Sequence, residues 1–121
     1  MIKLDIQATY LEKSLMTTAI EIVCFKLAAT AGDAQLLATN PLMEEFLNRQ
    51  PGFMYRSLSR DNEGLWYDII YWKNQGCAEN AAQKFQESAV GGQIMPLIDK
   101  QSCKMLHMDA LSEILSDGLK S

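Results

Sequence analysis

Two short segments are apolar on both of their alternating faces, and that property limits the possible folds more than any other. In 19–27, Ile20, Ile22 and Cys24 alternate with Val23, Phe25 and Leu27. In 65–72, Leu65, Ile69 and Tyr71 alternate with Trp66, Ile70 and Trp72. Both segments are too short for a helix to be the natural reading. They are rich in β-branched and aromatic residues, so each is read as a buried strand. A sheet built around such strands needs cover on both sides.

The rest of the chain supplies cover for one side. After Ala31-Gly32-Asp33, with Asp33 a candidate N-cap, Leu36, Met43 and Leu47 recur at helical spacing beside Phe46. Asn40-Pro41 interrupts that run, so a kink or a restart capped by Asn40 is expected. Pro51-Gly52 ends the element, and 53–60 is a second strand. Asp61-Asn62-Glu63-Gly64 has the composition of a hairpin turn. Asn74 is placed to cap a second helix whose stripe is Ala78, Ala81, Ala82 and Phe85, three alanines that imply close approach to a sheet. Gly91-Gly92 is expected to stop it, 94–98 is read as an apolar turn, and 102–110 as the fourth strand.

The order is therefore β-α-β-β-α-β. It predicts an α+β, ferredoxin-like βαββαβ sandwich with a four-stranded antiparallel sheet, the first and third strands central. Helices cover one face. The other is expected to be covered by a second copy, sheet to sheet, giving a homodimeric α+β barrel; a terminal extension folded over it is the alternative. Residues 1–18 read as an N-terminal extension, 19–110 as the domain and 111–121 as a C-terminal tail. Leu4, Ala8, Leu11 and Leu15 have helical spacing, although 2–6 also alternates like a strand, and Met16 is an alternative start to Met1. Leu111, Ile114, Leu115 and Leu119 suggest a short C-terminal helix.

Composition narrows the functional classes. With 121 residues, 48% hydrophobic and 21% charged, the chain is one domain with enough core to fold without disulfides or metals. No window approaches the ~18 apolar residues of a membrane span. A net charge of −4 with no Lys/Arg cluster argues against nucleic acid or an anionic membrane as partner. Residues 1–5 lack the apolar run of a signal peptide. Three scattered cysteines, Cys24, Cys77 and Cys103, read as reduced thiols in the core of a cytoplasmic protein.

The core, 20–111, resembles the antibiotic-biosynthesis-monooxygenase-like family of dimeric α+β barrels. The likeness is carried by Glu21-Ile22-Val23, by 46–53 (Phe-Leu-Asn-Arg-Gln-Pro-Gly-Phe) and by 66–72 (Trp-Tyr-Asp-Ile-Ile-Tyr-Trp). Pro96-Leu97-Ile98-Asp99 and Met105-Leu106-His107 add to it. The resemblance implies a sheet-to-sheet homodimer with a pocket between helices and sheet in each subunit. It also implies a range of activities: cofactor-independent oxygenation of polycyclic aromatics, haem degradation, chemistry on quinols, or none. The haem-degrading branch requires an asparagine on the first strand, a tryptophan ending the third and a histidine on the second helix. Trp72 matches, but the first strand has no asparagine and no histidine lies between Asn74 and Ile98, so the resemblance does not extend to haem.

Polar groups on apolar strands are the informative ones, because an unpaired buried charge is costly. Glu21, Asp68 and His107 stand out, one each on the first, third and fourth strands. If they share a face, Glu21 sits between the other two, and His107, held by a carboxylate, is the candidate general base. Trp66, Tyr67, Tyr71 and Trp72 are candidate pocket residues, with a tyrosine hydroxyl to bind a developing oxyanion. Such a set suits a cofactor-free oxygenase whose substrate, a small apolar or aromatic molecule, becomes a carbanion and reduces dioxygen itself. The plainer readings are a structural histidine, carboxylates paired with Arg56, Arg60 or a dimer-mate's cation, and core or interface aromatics. No metal site is expected, since Cys103 and His107 on one strand stand ~13 Å apart. The competing function is a non-catalytic ligand-binding or structural homodimer.

Overall fold

The computed structural model describes residues 17–119. Four strands, β1 (Ala19–Leu27), β2 (Phe53–Arg60), β3 (Trp66–Trp72) and β4 (Ile98–Asp109), form one antiparallel sheet in the order β2-β3-β1-β4. Four helices join them: α1 (Asp33–Leu37), α2 (Asn40–Asn48), α3 (Gln75–Gln86) and α4 (Ala89–Ile94). The two strands apolar on both faces are the two central ones. This is the α+β ferredoxin-like arrangement expected from the segment order.

Local chemistry explains the boundaries. The predicted break at Asn40-Pro41 divides the first helical region into α1 and α2, with Pro41 in the first turn of α2 where its missing N–H costs nothing. The capping differs from expectation. Gly32 occupies the N-cap of α1, and its N–H donates to Gln35 Oε1 at 2.8 Å. Asp33 instead pairs with Arg60 at the end of β2. Thr39 precedes α2, which frees the Asn40 side chain for Arg56. Asn74 does cap α3, its Oδ1 accepting from Cys77 N at 2.9 Å.

Gly91-Gly92 was expected to end a helix, but both lie inside α4. Ser88 caps that helix by accepting from Gly91 N at 3.0 Å. A Cβ at Gly91 would stand 2.2 Å from the Phe85 carbonyl oxygen, so this glycine permits a close approach between α4 and the end of α3. A 3₁₀ turn at Met95–Leu97 then feeds β4, which begins at Ile98, four residues before the expected start at Ser102. The hairpin turn is as read, with Gly64 at φ 84°. The suggested C-terminal helix is absent from the described residues apart from a 3₁₀ turn at Asp117–Leu119. The tail is placed by Ala110 N donating to Thr18 O at 2.9 Å and Thr18 Oγ1 to Glu113 Oε2 at 3.0 Å. The readings made for 1–16 lie outside the described residues.

The core sits between helices and sheet: Phe25, Trp66, Ile70 and Trp72 from the strands against Leu36, Met43, Leu47, Ala78, Ala81 and Val90. The opposite sheet face carries Ile20, Ile22, Cys24, Ile69 and Tyr71, half-buried, with Leu106 more exposed.

Candidate functional site

Strand register decides which polar side chains meet. Glu21 pairs with Ile70 on one side and His107 on the other, while Val23 pairs with Asp68 and Met105. With side chains alternating every residue, Glu21, Asp68 and His107 all belong to the helix-side face. The predicted sharing of a face is therefore present, but the three do not form one hydrogen-bonded network.

Asp68 is held by β2. Arg56 Nε and Nη2 donate to its two carboxylate oxygens at 2.8 and 2.9 Å, and Arg56 Nη1 donates to Asn40 Oδ1 at 3.2 Å. Of the pairings open from the sequence, the one with Arg56 is realised. His107 is exposed, because β4 is an edge strand, and its Nδ1 lies 3.2 Å from Gln75 Nε2 at the start of α3. It does not line the cavity described next, which removes the geometric basis for His107 as the residue that takes a proton directly from a bound molecule.

That cavity, about 210 Å³, lies between helices and sheet. Its floor is Glu21, Val23, Phe25, Asp68, Ile70 and Trp72; α2 contributes Met43, Phe46 and Leu47, and α3 contributes Ala81, Ala82 and Phe85. Gln86, Met95, Cys103 and Met105 are exposed lining residues, so the mouth opens between the end of α3, the Met95 turn and β4. The walls are almost wholly apolar. Arg56 and Asp68 neutralise each other, which leaves Glu21, 7% exposed, as the one carboxyl of the lining without an ion-pair partner among the described residues.

Burial pushes the Glu21 carboxyl above its ordinary value, and the Asp68 charge adds to that; His107 across the strand pair pulls the other way. The Trp72 indole N–H, its polar neighbour, also favours the charged form but completes no hydrogen bond of ordinary geometry. Glu21 is thus a desolvated acid in an apolar chamber, the setting in which a carboxylate becomes an effective base.

The four candidate pocket aromatics separate. Trp72 lines the cavity. Trp66 is buried on the same face but outside the lining, with the Arg60 guanidinium 5.9 Å from its ring. Tyr67 and Tyr71 occupy the opposite sheet face, since residues of odd and even spacing on one strand cannot share a side. Tyr67 OH donates to Asp61 Oδ2 at 3.2 Å, and Tyr71 stacks on Tyr55, ring centroids 6.1 Å apart. Neither hydroxyl serves the cavity as the sequence had suggested. The sequence reading missed Met43, Phe46 and Met105. The one signal for a chamber was the alanine stripe of α3: Ala81 and Ala82 leave room beside the sheet as well as permitting close approach.

No protein-family model and no curated protein matches the chain. Solved structures do match. SnoaB, a cofactor-independent oxygenase from Streptomyces nogalater, is 15% identical, covering 83% of this chain and 99% of its own with a TM-score of 0.67. A Caulobacter crescentus CB15 protein provisionally assigned to the antibiotic biosynthesis monooxygenases is 13% identical over 86% of this chain and 99% of its own, TM-score 0.67. A monooxygenase of Streptomyces coelicolor, solved with the ligand nanaomycin D, is 17% identical over 84% and 95%, TM-score 0.55. The chain therefore has the ferredoxin-like fold of the antibiotic-biosynthesis-monooxygenase-like proteins. Likeness at these identities concerns the fold; function has to be argued from the site. Among the described residues no helix is long and apolar enough to cross a membrane.

Proposed function

We propose that this protein binds a small aromatic molecule in the cavity and oxygenates it without a cofactor, with Glu21 as the general base. The observation that carries the reading is a desolvated carboxyl with no ion-pair partner among the described residues, in a mostly apolar chamber of about 210 Å³ whose other two charges, Arg56 and Asp68, neutralise each other. An apolar cavity of roughly 150 Å³ holds benzene. One fused ring more fits here, so the ligand is a one- or two-ring aromatic unless Met43, Phe46 and Met95 move aside.

Glu21 would take a proton from an activated C–H of the bound substrate. The carbanion passes one electron to dioxygen, the pair combines as a hydroperoxide, and loss of water leaves a carbonyl. The balance is R₂CH₂ + O₂ giving R₂C=O + H₂O, with the proton on Glu21 returned to solvent or to the departing hydroxide. Apolar walls keep water from the carbanion and strengthen the base. The fold shared with oxygenases supports the reading.

The sheet face away from the helices, apolar and half-exposed among the described residues, supports a sheet-to-sheet homodimer as the working unit. Native mass spectrometry at twice the chain mass is expected; a monomer with that face open overturns the dimer.

The test of function is oxygen uptake with one- and two-ring ketones and phenols that carry an acidic benzylic C–H. Uptake matched by carbonyl product, and reduced at least ~100-fold in Glu21→Gln, supports the base. Tight binding with no uptake in the wild-type protein overturns the oxygenase reading and leaves a ligand-binding protein.

A further inference from the structure

We propose that His107 is the solvent-side proton partner of Glu21: a positioning residue, set directly opposite it on β4, through which the cavity carboxyl exchanges its proton with solvent. The catalytic consequence rests on the reading of Glu21 as base; the link between the two groups does not.

Three observations carry the proposal. Glu21 and His107 are register partners across β1 and β4. Directly opposed residues of antiparallel strands hold their Cβ atoms about 4.5–5.5 Å apart, within reach of a carboxylate and an imidazole. The two also stand on opposite sides of a boundary, Glu21 buried in the cavity floor and His107 exposed at the edge strand. A proton leaving Glu21 toward the cavity must cross mostly apolar walls and pass the neutralised Arg56–Asp68 pair before it reaches the mouth. Toward β4 it meets an imidazole in contact with water.

Gln75 makes the imidazole suitable for the task. Its side-chain amide lies 3.2 Å from His107 Nδ1. An amide presents both a donor and an acceptor, so it donates to the neutral ring and, turned over, accepts from the protonated one. The remaining charged groups near the pair are few. Asp68 of β3 is locked to Arg56 of β2, and Asp109 lies two residues beyond His107 on the same face. The inward stripe of α3, Ala78, Ala81, Ala82 and Phe85, and the α2 residues Met43 and Leu47, are uncharged. The electrostatic pull of His107 on Glu21 agrees with this geometry.

His107 is the chain's single histidine, so its ring signals report its protonation without assignment. The experiment is an NMR pH titration of His107 in the wild-type protein, Glu21→Gln and Asp109→Asn, with the carboxyl of Glu21 followed by ¹³C in wild-type and His107→Gln. Coupling between sites is reciprocal. His107→Gln should therefore raise the Glu21 midpoint, and Glu21→Gln should move that of His107 in the opposite sense. A larger effect from Asp109→Asn than from Glu21→Gln, or no effect of either partner on the other, overturns the link. In the oxygenase assay, His107→Gln should lower kcat and leave KM unchanged, with rescue by added imidazole. Linked midpoints with turnover unaffected by His107→Gln overturn the exit route. Linked midpoints in a protein that consumes no oxygen sustain the link while the oxygenase reading fails.

Discussion

Arg56 and Asp68 meet side-on across neighbouring strands, two N–H groups on two carboxylate oxygens at 2.8 and 2.9 Å, with side chains only 12% and 14% exposed. The pair closes one wall of the cavity, and its mutual neutralisation is what makes the charge on Glu21 stand alone. Removing one member strands the other in a place where it cannot be hydrated. Arg56→Ala should cost about 3–5 kcal/mol of stability. Replacing both residues by leucine should cost much less than the sum of the single changes. Urea denaturation of the two single variants and the double variant measures this, and additive losses would show that the pair is not coupled.

Glu21 imposes a pH dependence whose sign follows from its desolvation. Unfolded, it titrates near its ordinary 4.5; folded, burial raises it. Between those two values the folded chain holds more protons than the unfolded one, so stability falls as pH rises through the window. The contribution is whole below the unfolded value and lost above the folded one. Glu21→Gln removes that loss. The variant should gain on the wild-type protein as pH goes from about 4 to about 8 in parallel thermal melts. A constant difference between them would place Glu21 in a hydrated setting.

The architecture was legible because its signals are local and periodic. Two-sided apolar strands at 19–27 and 65–72 pointed to the centre of a sheet, and the alternation of helical and strand patterns ordered the rest. The site was legible only in part. Glu21, Asp68 and His107 share a face because the register sets Glu21 against His107 and Val23 against Asp68, a pairing that strand order alone leaves open. What could not be read was depth. A histidine on an edge strand and a glutamate on a central strand look alike in sequence, yet the first meets solvent and the second an apolar chamber. Parity also separated Tyr67 and Tyr71 from Trp72, a consequence available from alternation but hidden by treating the aromatic run as one cluster. Gly91-Gly92 misled for a different reason. Glycine marks both chain breaks and close approaches, and only the Phe85 carbonyl beside Gly91 distinguishes them.

That distinction makes opposite predictions for adjacent residues. Helix propensity alone favours Ala over Gly by about 0.5–1 kcal/mol at either site. At Gly92 an added Cβ would find nothing within 4 Å, so Gly92→Ala should be neutral to stabilising by that amount. At Gly91 the same methyl meets a backbone oxygen at 2.2 Å that cannot step aside without moving the end of α3. Gly91→Ala should be destabilising by about 1–3 kcal/mol, the usual cost of overpacking. Thermal melts of the two single variants should move in opposite directions, and a Gly91→Ala protein as stable as Gly92→Ala would refute the close approach.

The cavity itself is tested by filling it. Ala82 lies on its α3 wall and is half-buried, so a larger apolar side chain there can extend into space that is already empty. Ala82→Leu should leave the fold intact, with stability unchanged or raised by up to about 1 kcal/mol. Affinity for a naphthalene-sized probe should fall at least about tenfold, or about 1.4 kcal/mol. Calorimetric titration of the wild-type and variant proteins separates this from a surface site. A probe seated on the open sheet face would bind both equally, because Ala82 lies on the other side of the sheet. A probe held between helices and sheet loses its room in the variant, and the loss should be larger for two rings than for one.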